Sequence, residues 1–241
     1  MARILLIIFG MFFKTIYYFI KICWYSSEKN RDYEKGYRVV QQSARAAIKT
    51  GRVNIEVEGI ENIPEENGFI FYPNHQGLFD VLIFLASCPK AFAFVIKKEA
   101  SNVILLKQII GALGSKVMDR DDLRQSIQVI NEVTEEVKNG RNFLIFAEGT
   151  RSKQGNKLLE FKGGSFKAAT KAKCPVVPCA LIDSYRPMDE KGIKPVTVKL
   201  IYLPPITYEE YKDMKGVELA NTVKERIEKA IAKSLDKENT L

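Results

Sequence analysis

The sequence is poor in the residues that bind metals and cross-link chains. It has one histidine, His75, and four cysteines among 241 residues, and no two cysteines form a CxxC pair. Zinc usually takes four histidine, cysteine or carboxylate ligands, so this set argues against a structural zinc site. The cysteines lie in or beside apolar runs, which predicts free thiols in a reducing compartment instead of a disulfide framework.

Nucleotide-binding signatures are absent as well. The sequence has no GxGxxG motif, and residues 149–157 do not have the spacing of a phosphate-binding loop. Residues 163–167 resemble the turn that carries a nucleophilic serine, but they lack the final glycine and start a predicted helix. Unless a group with a strongly shifted pKa stands in, a reaction that needs an imidazole base must use His75.

The charge balance predicts an anionic partner. Lysine and arginine outnumber aspartate and glutamate by 37 to 29, which gives a formal net charge of +8. This surplus favours a phosphate-bearing lipid, a membrane surface or a nucleic acid, although it also serves general solubility. No stretch has an aromatic-plus-basic nucleic-acid motif, so no nucleic-acid partner is predicted.

The N-terminal stretch is almost wholly apolar from Ile4 to Phe13 and again from Ile16 to Trp24. It has no small-residue cleavage site after the apolar run, which argues against a signal peptide. In one continuous helix Arg3, Lys14 and Lys21 would share a face, and this basic stripe favours a helix that lies in one leaflet over a single span. A helix buried in the protein core is the weaker alternative, because large apolar residues point in nearly every direction.

The remainder of the chain predicts an α/β domain. A helix is predicted over 27–50, and from residue 53 strands alternate with helices, which is typical of a largely parallel sheet flanked by helices. Strands are predicted at 53–57, 68–73, 91–96, 116–118, 142–146, 175–182 and 196–203, and helices at 81–85, 99–113, 122–140, 163–173 and 217–235. We therefore divide the chain into an N-terminal membrane-associated helical pair, residues 1–52, and an α/β domain, residues 53–241.

His75 lies where a predicted buried strand ends and a predicted apolar helix begins. Asp80 follows five positions later, and on a regular helix the two side chains would point roughly 140° apart. They can meet only if Gln76 and Gly77 form a turn before the helix starts, which glycine permits. Asp80 could then bond one imidazole nitrogen and leave the other free as a base. The alternative is a histidine at a helix start with a capping aspartate nearby.

Basic residues follow three of the predicted strands. Lys97 and Lys98, Arg120 and Arg151 each come shortly after an apolar strand. In a parallel sheet those strand ends meet at one rim, where a cluster of cations would bind a phosphate. Taken singly, each is better explained as solvated surface charge.

Four segments, in order, resemble the motifs of the glycerolipid acyltransferases. The spacing of His75 and Asp80 is similar to their HxxxxD motif, and a short apolar strand ending at Pro178 is similar to their fourth. The second motif matches except for Val117-Met118 in place of Phe-Ile, and the third, FPEGTRS, matches except for Ala147 in place of proline. The segments are 75–80, 114–120, 146–152 and 176–178. HxxxxD alone is a weak signal, whereas HxxxxD followed by EGTRS at this distance is a strong one.

The resemblance is closest to the 1-acylglycerol-3-phosphate O-acyltransferases, and it implies their fold and activity. These enzymes transfer a fatty acyl group from acyl-CoA or acyl carrier protein to the sn-2 hydroxyl of lysophosphatidic acid, giving phosphatidic acid. His75 would be the general base and Asp80 would orient it. Neither a metal nor a bound cofactor would be needed, because the acyl thioester is a co-substrate.

The resemblance also implies roles for the basic strand ends and the third motif. The residues that would bind the acceptor phosphate are Arg120, Arg151, Lys98 and Lys97. The residues that would shape the acceptor pocket are Glu148, Gly149 and Thr150. The implied partners are membrane lipids, and the implied location is the cytoplasmic face of the cell membrane. Two alternatives are acyl transfer to another lysolipid and a non-enzymatic basic protein that binds membranes.

Overall fold

A seven-stranded sheet organises the protein, for which the computed structural model describes residues 2–103 and 105–238. The strand order is β1-β7-β6-β2-β5-β3-β4. The strands are β1 Val53–Glu58, β2 Ile70–Pro73, β3 Ala93–Lys97, β4 Lys116–Met118, β5 Phe143–Leu144, β6 Val176–Ile182 and β7 Val196–Tyr202. Strands β6 and β7 pair antiparallel, and the other neighbours in this order pair parallel. The prediction of a mixed, largely parallel sheet is confirmed.

Helices cover both faces of the sheet. They are α1 Ala2–Gly10, α2 Phe12–Ser26, α3 Tyr33–Thr50, α4 Asp80–Ser87, α5 Lys98–Ser101, α6 Leu106–Leu113, α7 Leu123–Lys138, α8 Lys167–Ala172, α9 Arg186–Asp189, α10 Tyr208–Tyr211 and α11 Gly216–Glu238. Asp122 caps α7 by accepting from the backbone of Arg124 and Gln125, as its type and position predict.

Alternation along the strands builds a core on each face. Phe71 of β2 belongs to the core that α3, α4 and α6 cover, whereas Ile70 and Tyr72 belong to the core under α7, α8 and α11. Strands β2 and β6 are buried along their whole length. A strand that is covered on both faces has a continuous run of apolar residues, so β2 and β6 are readily predicted from the sequence.

Besides the helix predicted over 27–50, which forms a 3₁₀ turn at Glu28–Asn30 and then α3, two predicted helices are interrupted in the structure. The helix predicted over 99–113 forms α5 and then α6, and the residue before α6, Leu105, has a φ of +73°. The Leu105 N–H is satisfied by the Gln108 side chain at 2.9 Å. Helical periodicity continues across such a break, so the apolar pattern alone predicts one helix.

The apolar N-terminus is the second interrupted helix. Helices α1 and α2 are bent by 79° at a break between Gly10 and Phe12. The predicted basic stripe is therefore wrong: Arg3 is 2% exposed and faces the protein, while Lys14 and Lys21 are exposed. Gly10 at the end of α1 lies close to α3, where an added Cβ would come within 2.7 Å of Thr50 Cγ2.

Residues 2–50 contain three helices where the sequence predicted a pair. The third, α3, packs against α4 and contributes Tyr37, Val40 and Ala44 to the domain core. The domain boundary after residue 52 stays a prediction. Within residues 2–103 and 105–238, no single helix has the length and apolar character to cross a bilayer, and α1 with α2 meets that criterion only as a bent pair.

Arg3 fastens α1 to the rest of the protein. Its Nε donates to the carbonyl of Pro187 at 2.9 Å, and its two terminal nitrogens donate to Gly51 at 2.5 Å and Lys194 at 2.9 Å. It is the buried residue of α1. One guanidinium thus joins α1 to three other segments of the chain, as its fork of donors allows.

We predict that Arg3→Ala releases α1 while the sheet stays folded. Three carbonyls lose a charged donor, each of which contributes about 1.5–3 kcal/mol. Amide hydrogen exchange should become at least about 10-fold faster across α1 and stay unchanged in β2 and β6. Lys14→Ala, which removes an exposed cation from α2, is the matched control. Full protection of α1 in the Arg3 variant would contradict the prediction.

Candidate active site

The ends of four parallel strands form one rim of the sheet. In the strand order, β2 is followed by β5, β3 and β4, and these neighbours run parallel. Residues 74–80 follow β2, residues 145–152 follow β5, Lys97 ends β3, and Arg120 follows β4. The strand ends that precede these basic residues therefore lie along one rim. On the other side of β2, strand β6 brings residues 183–185 to the same rim.

His75 and Asp80 meet at this rim. His75 Nδ1 lies 2.7 Å from Asp80 Oδ2. Helix α4 begins only at Asp80, so residues 75–79 form the turn that the spacing required. The backbone N–H groups of Gln76 and Gly77 donate to Asp80 Oδ2 at 2.7 and 3.0 Å. The carboxylate accepts these bonds while completely buried.

The second imidazole nitrogen is free. A carboxylate that receives N–H donors is an acceptor, so Nδ1 carries the proton in this pair and Nε2 carries the lone pair. Nε2 makes no hydrogen bond within the described part of the chain, and 21% of the His75 side chain is exposed. The Phe146 ring stacks on the imidazole at 4.0 Å between centroids and an angle of 22°, which fixes the orientation of its plane.

Asn74 and Gln76 tie the histidine segment to β6. The Asn74 side chain donates to the carbonyl of Leu181 at 2.9 Å and accepts from its N–H at 2.7 Å. It thereby continues the β2–β6 pairing beyond Pro73. The Gln76 amide donates to the same carbonyl at 3.0 Å. The main chain around His75 is thus held from the β6 side.

The third-motif loop holds the same segment from the β5 side. Glu148 Oε1 accepts from the N–H of His75 at 2.7 Å, and the N–H of Ser152 donates to the carbonyl of His75 at 2.8 Å. Glu148 Oε2 accepts from the N–H of Leu159 at 2.9 Å. Burial raises the pKa of the Glu148 carboxyl, and the two backbone donors oppose that shift. Glu148 therefore supports His75 through the backbone.

The other two predicted pocket residues differ in exposure. Gly149 is buried with a φ of +76°, a conformation that other residues rarely adopt. Thr150 is exposed.

The four predicted phosphate ligands fall into two classes. Lys97 pairs with Glu99 at 2.7 Å, and Lys98 pairs with Asp119 at 2.8 Å. Arg151 is half-buried and Arg120 is exposed, and neither forms an ion pair or hydrogen bond with the described residues. The two lysine pairs are at the surface, so a phosphate could displace the carboxylates of Glu99 and Asp119 at little cost.

The strands that lead to these cations can be ranked by their distance from β2, the strand that leads to His75. Adjacent strands lie about 4.8 Å apart, so the strand that leads to Arg151 is about 5 Å from that of His75. The strand that leads to Lys97 is about 10 Å from that of His75, and the strand that leads to Arg120 is about 14 Å from it. Arg151 thus follows the strand adjacent to that of His75, and the N–H of the next residue, Ser152, donates to the carbonyl of His75 at 2.8 Å.

Sequence reasoning missed several residues of the site. Ser184 lies 2.7 Å from Asp80 through its hydroxyl, and Lys162 lies across Gly149, where an added Cβ would come within 3.1 Å of its Nζ. Phe146 lies in the third motif and Gln76 in the predicted turn, but no local pattern predicts the contacts of their side chains. A contact over 104 positions, as between Ser184 and Asp80, leaves no local signal in one sequence.

No three His, Cys, Asp or Glu side chains form a metal-binding group within residues 2–103 and 105–238. The four cysteines are free, and burial raises the pKa of Cys88 to about 11 and of Cys174 to about 12. Thiols with such high pKa values are poor nucleophiles at neutral pH.

The chain matches known proteins along most of its length. The family model described as Acyltransferase matches residues 54–182. A crystal structure of the 1-acyl-sn-glycerophosphate (LPA) acyltransferase PlsC from Thermotoga maritima superposes with a TM-score of 0.75 at 28% identity, covering 96% of this chain and 95% of that one.

Curated relatives carry a related name. A 1-acyl-sn-glycerol-3-phosphate acyltransferase of Cocos nucifera is 31% identical over 74% of this chain and 60% of the relative. The chloroplastic LPAT1 enzyme of that name from Arabidopsis thaliana is 32% identical over 58% of this chain and 39% of the relative. The chain spans about half the length of the curated relatives it matches.

We predict that Glu148→Gln destabilises the protein. Both oxygens of the Glu148 carboxylate accept hydrogen bonds from backbone N–H groups. The glutamine amide has one oxygen, so its NH₂ group would face one of these buried donors. The free energy of unfolding, measured with urea at neutral pH, should fall by about 1–3 kcal/mol.

Glu160→Gln is the control for that prediction, because it makes the same change in a side chain that is 83% exposed. It should alter stability by less than about 0.5 kcal/mol. Equal stability of the two variants would argue against the double-acceptor role of Glu148.

Proposed function

Because the chain belongs to the acyltransferase family, we propose that it transfers a fatty acyl group from an acyl thioester to the sn-2 hydroxyl of 1-acylglycerol-3-phosphate, giving phosphatidic acid. The observation that carries this proposal is the His75–Asp80 pair, with a free Nε2, at a rim that also holds unpaired arginines. The names of the relatives supply the acceptor.

His75 acts as the general base. Its Nε2 takes the proton from the acceptor hydroxyl while the oxygen attacks the thioester carbonyl. The positive charge that forms on the ring is stabilised by Asp80 at 2.7 Å in a buried, water-poor setting. Stacking on Phe146 keeps Nε2 directed at the hydroxyl.

The reaction needs no covalent enzyme intermediate. Attack forms the ester C–O bond and a tetrahedral intermediate, whose collapse breaks the C–S bond. The leaving thiolate takes up the proton held on His75, which restores the neutral imidazole. The donor is acyl-CoA or acyl carrier protein, both of which leave as thiols, and the proposal includes no metal or bound cofactor.

The acceptor phosphate binds beside the third-motif loop. Arg151 is the first ligand in this proposal, since its strand is next to that of His75 and its guanidinium has no other partner among the described residues. Lys162, which lies across Gly149, adds a second cation. Arg120, Lys97 and Lys98 complete the basic rim from strands farther away and attract the phosphate electrostatically. Glu148, Gly149 and Thr150 form the wall of the acceptor pocket.

The N-terminal helices bring this site to a membrane. Phe13 is 84% exposed, Phe9 75% and Trp24 60%, and Lys14 and Lys21 are exposed beside them. A surface with large apolar, aromatic and basic side chains is typical of helices that lie in one leaflet. We place the protein at the cytoplasmic face of the cell membrane, where the lysolipid acceptor is dissolved.

We predict that His75→Ala lowers acyl transfer by at least about 100-fold, because general base catalysis contributes roughly that much. The assay uses a labelled acyl group on either CoA or acyl carrier protein, with lysophosphatidic acid in mixed micelles. Vesicle binding and thermal stability should stay close to those of the unaltered protein. Full activity of the variant would refute the mechanism.

We predict that Arg151→Ala raises KM for lysophosphatidic acid by about 10- to 100-fold, because a charge-assisted contact to the phosphate is lost. Activity towards monoacylglycerol, which lacks the phosphate, should not change. Arg38→Ala is the control, because it removes one exposed positive charge from α3. If the unaltered protein acylates both acceptors equally well, another lysolipid class is the better assignment.

A further inference from the structure

Ser184 lies immediately behind the His75–Asp80 pair. It follows β6 at a sharp turn, since Asp183 has a φ of +59°, and it is completely buried. Its hydroxyl oxygen lies 2.7 Å from Asp80 Oδ1 and 2.9 Å from Gln76 Oε1. Two acceptors thus compete for one hydroxyl proton.

The orientation of Gln76 decides which acceptor receives the proton. Gln76 Nε2 donates to the carbonyl of Leu181 and to Asn156 Oδ1, so its amide oxygen must face Ser184. That oxygen already accepts from the backbone N–H of Ser184 at 2.9 Å. The Ser184 hydroxyl therefore donates to the carboxylate of Asp80, the shorter contact and the charged one.

This bond fixes the rotation of the carboxylate. Asp80 Oδ2 receives the imidazole and two backbone N–H groups, whereas Oδ1 receives the Ser184 hydroxyl at 2.7 Å and the N–H of Gly77 at 3.1 Å. Ser184 is the one side-chain donor to Oδ1 among the described residues. With both oxygens bound, the carboxylate plane cannot turn away from Nδ1.

We propose that Ser184 is a positioning residue of this site, which holds the Asp80 carboxylate against His75 and sets how strongly the pair retains a proton. The proposal rests on the acyl-transfer function above. Ser184 touches neither the acceptor nor the thioester. It acts through Asp80, and Gln76, which follows β2, holds it by accepting from its backbone N–H at 2.9 Å.

We predict that Ser184→Ala lowers kcat by about 10- to 100-fold, the effect of losing a hydrogen bond to a charged group, and leaves KM unchanged. Without the hydroxyl, more of the carboxylate charge acts on the imidazole, so the protonated ring is favoured. The acidic limb of the pH–kcat profile should therefore move to higher pH. Glu148 also interacts electrostatically with the pair, and the variant leaves its backbone donors in place.

The single histidine allows a direct measurement without any assay of activity. In protein labelled with ¹⁵N-histidine and free of a tag, every imidazole signal belongs to His75, since the sequence has one histidine. The midpoint of the NMR titration should move to higher pH in Ser184→Ala. A residue that only supported the fold would leave that midpoint unchanged.

Two further variants keep the test decisive. Ser234→Ala is the matched control, since Ser234 is also buried and bonded to a charged side chain, Lys199 at 3.0 Å, but lies on α11. It should keep kcat and the titration midpoint. Ser184→Cys retains a weaker donor of similar shape, and it should show a smaller shift and loss in the same direction. If Ser184→Ala does not fold, the kcat and titration midpoint of Ser184→Cys test the proposal instead.

The outcomes separate the two proposals. Unaltered protein with no acyl-transfer activity refutes the proposed function. Active unaltered protein, an inactive His75→Ala variant, and Ser184 variants with normal kcat and an unmoved titration midpoint refute the role of Ser184 alone.

Discussion

The site depends on a buried carboxylate that must be surrounded by donors. Asp80 is completely removed from solvent, and a charge in that position is tolerated only when hydrogen bonds replace its hydration. The imidazole of His75, two backbone N–H groups and the Ser184 hydroxyl supply them. This requirement explains why the chain makes a turn before α4: continuing the helix back to His75 would remove the imidazole and both backbone donors from the carboxylate.

The same turn is held from two neighbouring strands. Asn74 and Gln76 bond to β6, while Glu148 and Ser152 bond to the backbone of His75 from the loop after β5. In this loop alanine stands where the family motif has proline. Ala147 is completely buried, and its carbonyl accepts from the N–H of Lys162 at 2.9 Å. This burial and this hydrogen bond hold residue 147 in the loop.

Helix α1 is bonded to the segment that follows β6. Arg3 bonds to Pro187 of α9, which begins two residues after Ser184. The surface that we assign to the membrane is therefore fastened, through one buried side chain, to the segment that follows β6. A lipid acceptor that enters from the leaflet would meet a site at a fixed orientation to that surface.

The sequence by itself determined the strands and their largely parallel pairing, because side-chain period and turn residues act over a few positions. It also indicated the His75–Asp80 pair, because HxxxxD is followed by EGTRS at the distance typical of the family. Tertiary structure alone decided the bend between α1 and α2, the burial of Arg3, and which cations are free of carboxylate partners. It also decided the contacts of Ser184 and Lys162, which join segments far apart in the chain. Such contacts depend on strand order, and no local pattern of residues encodes which strand ends become neighbours.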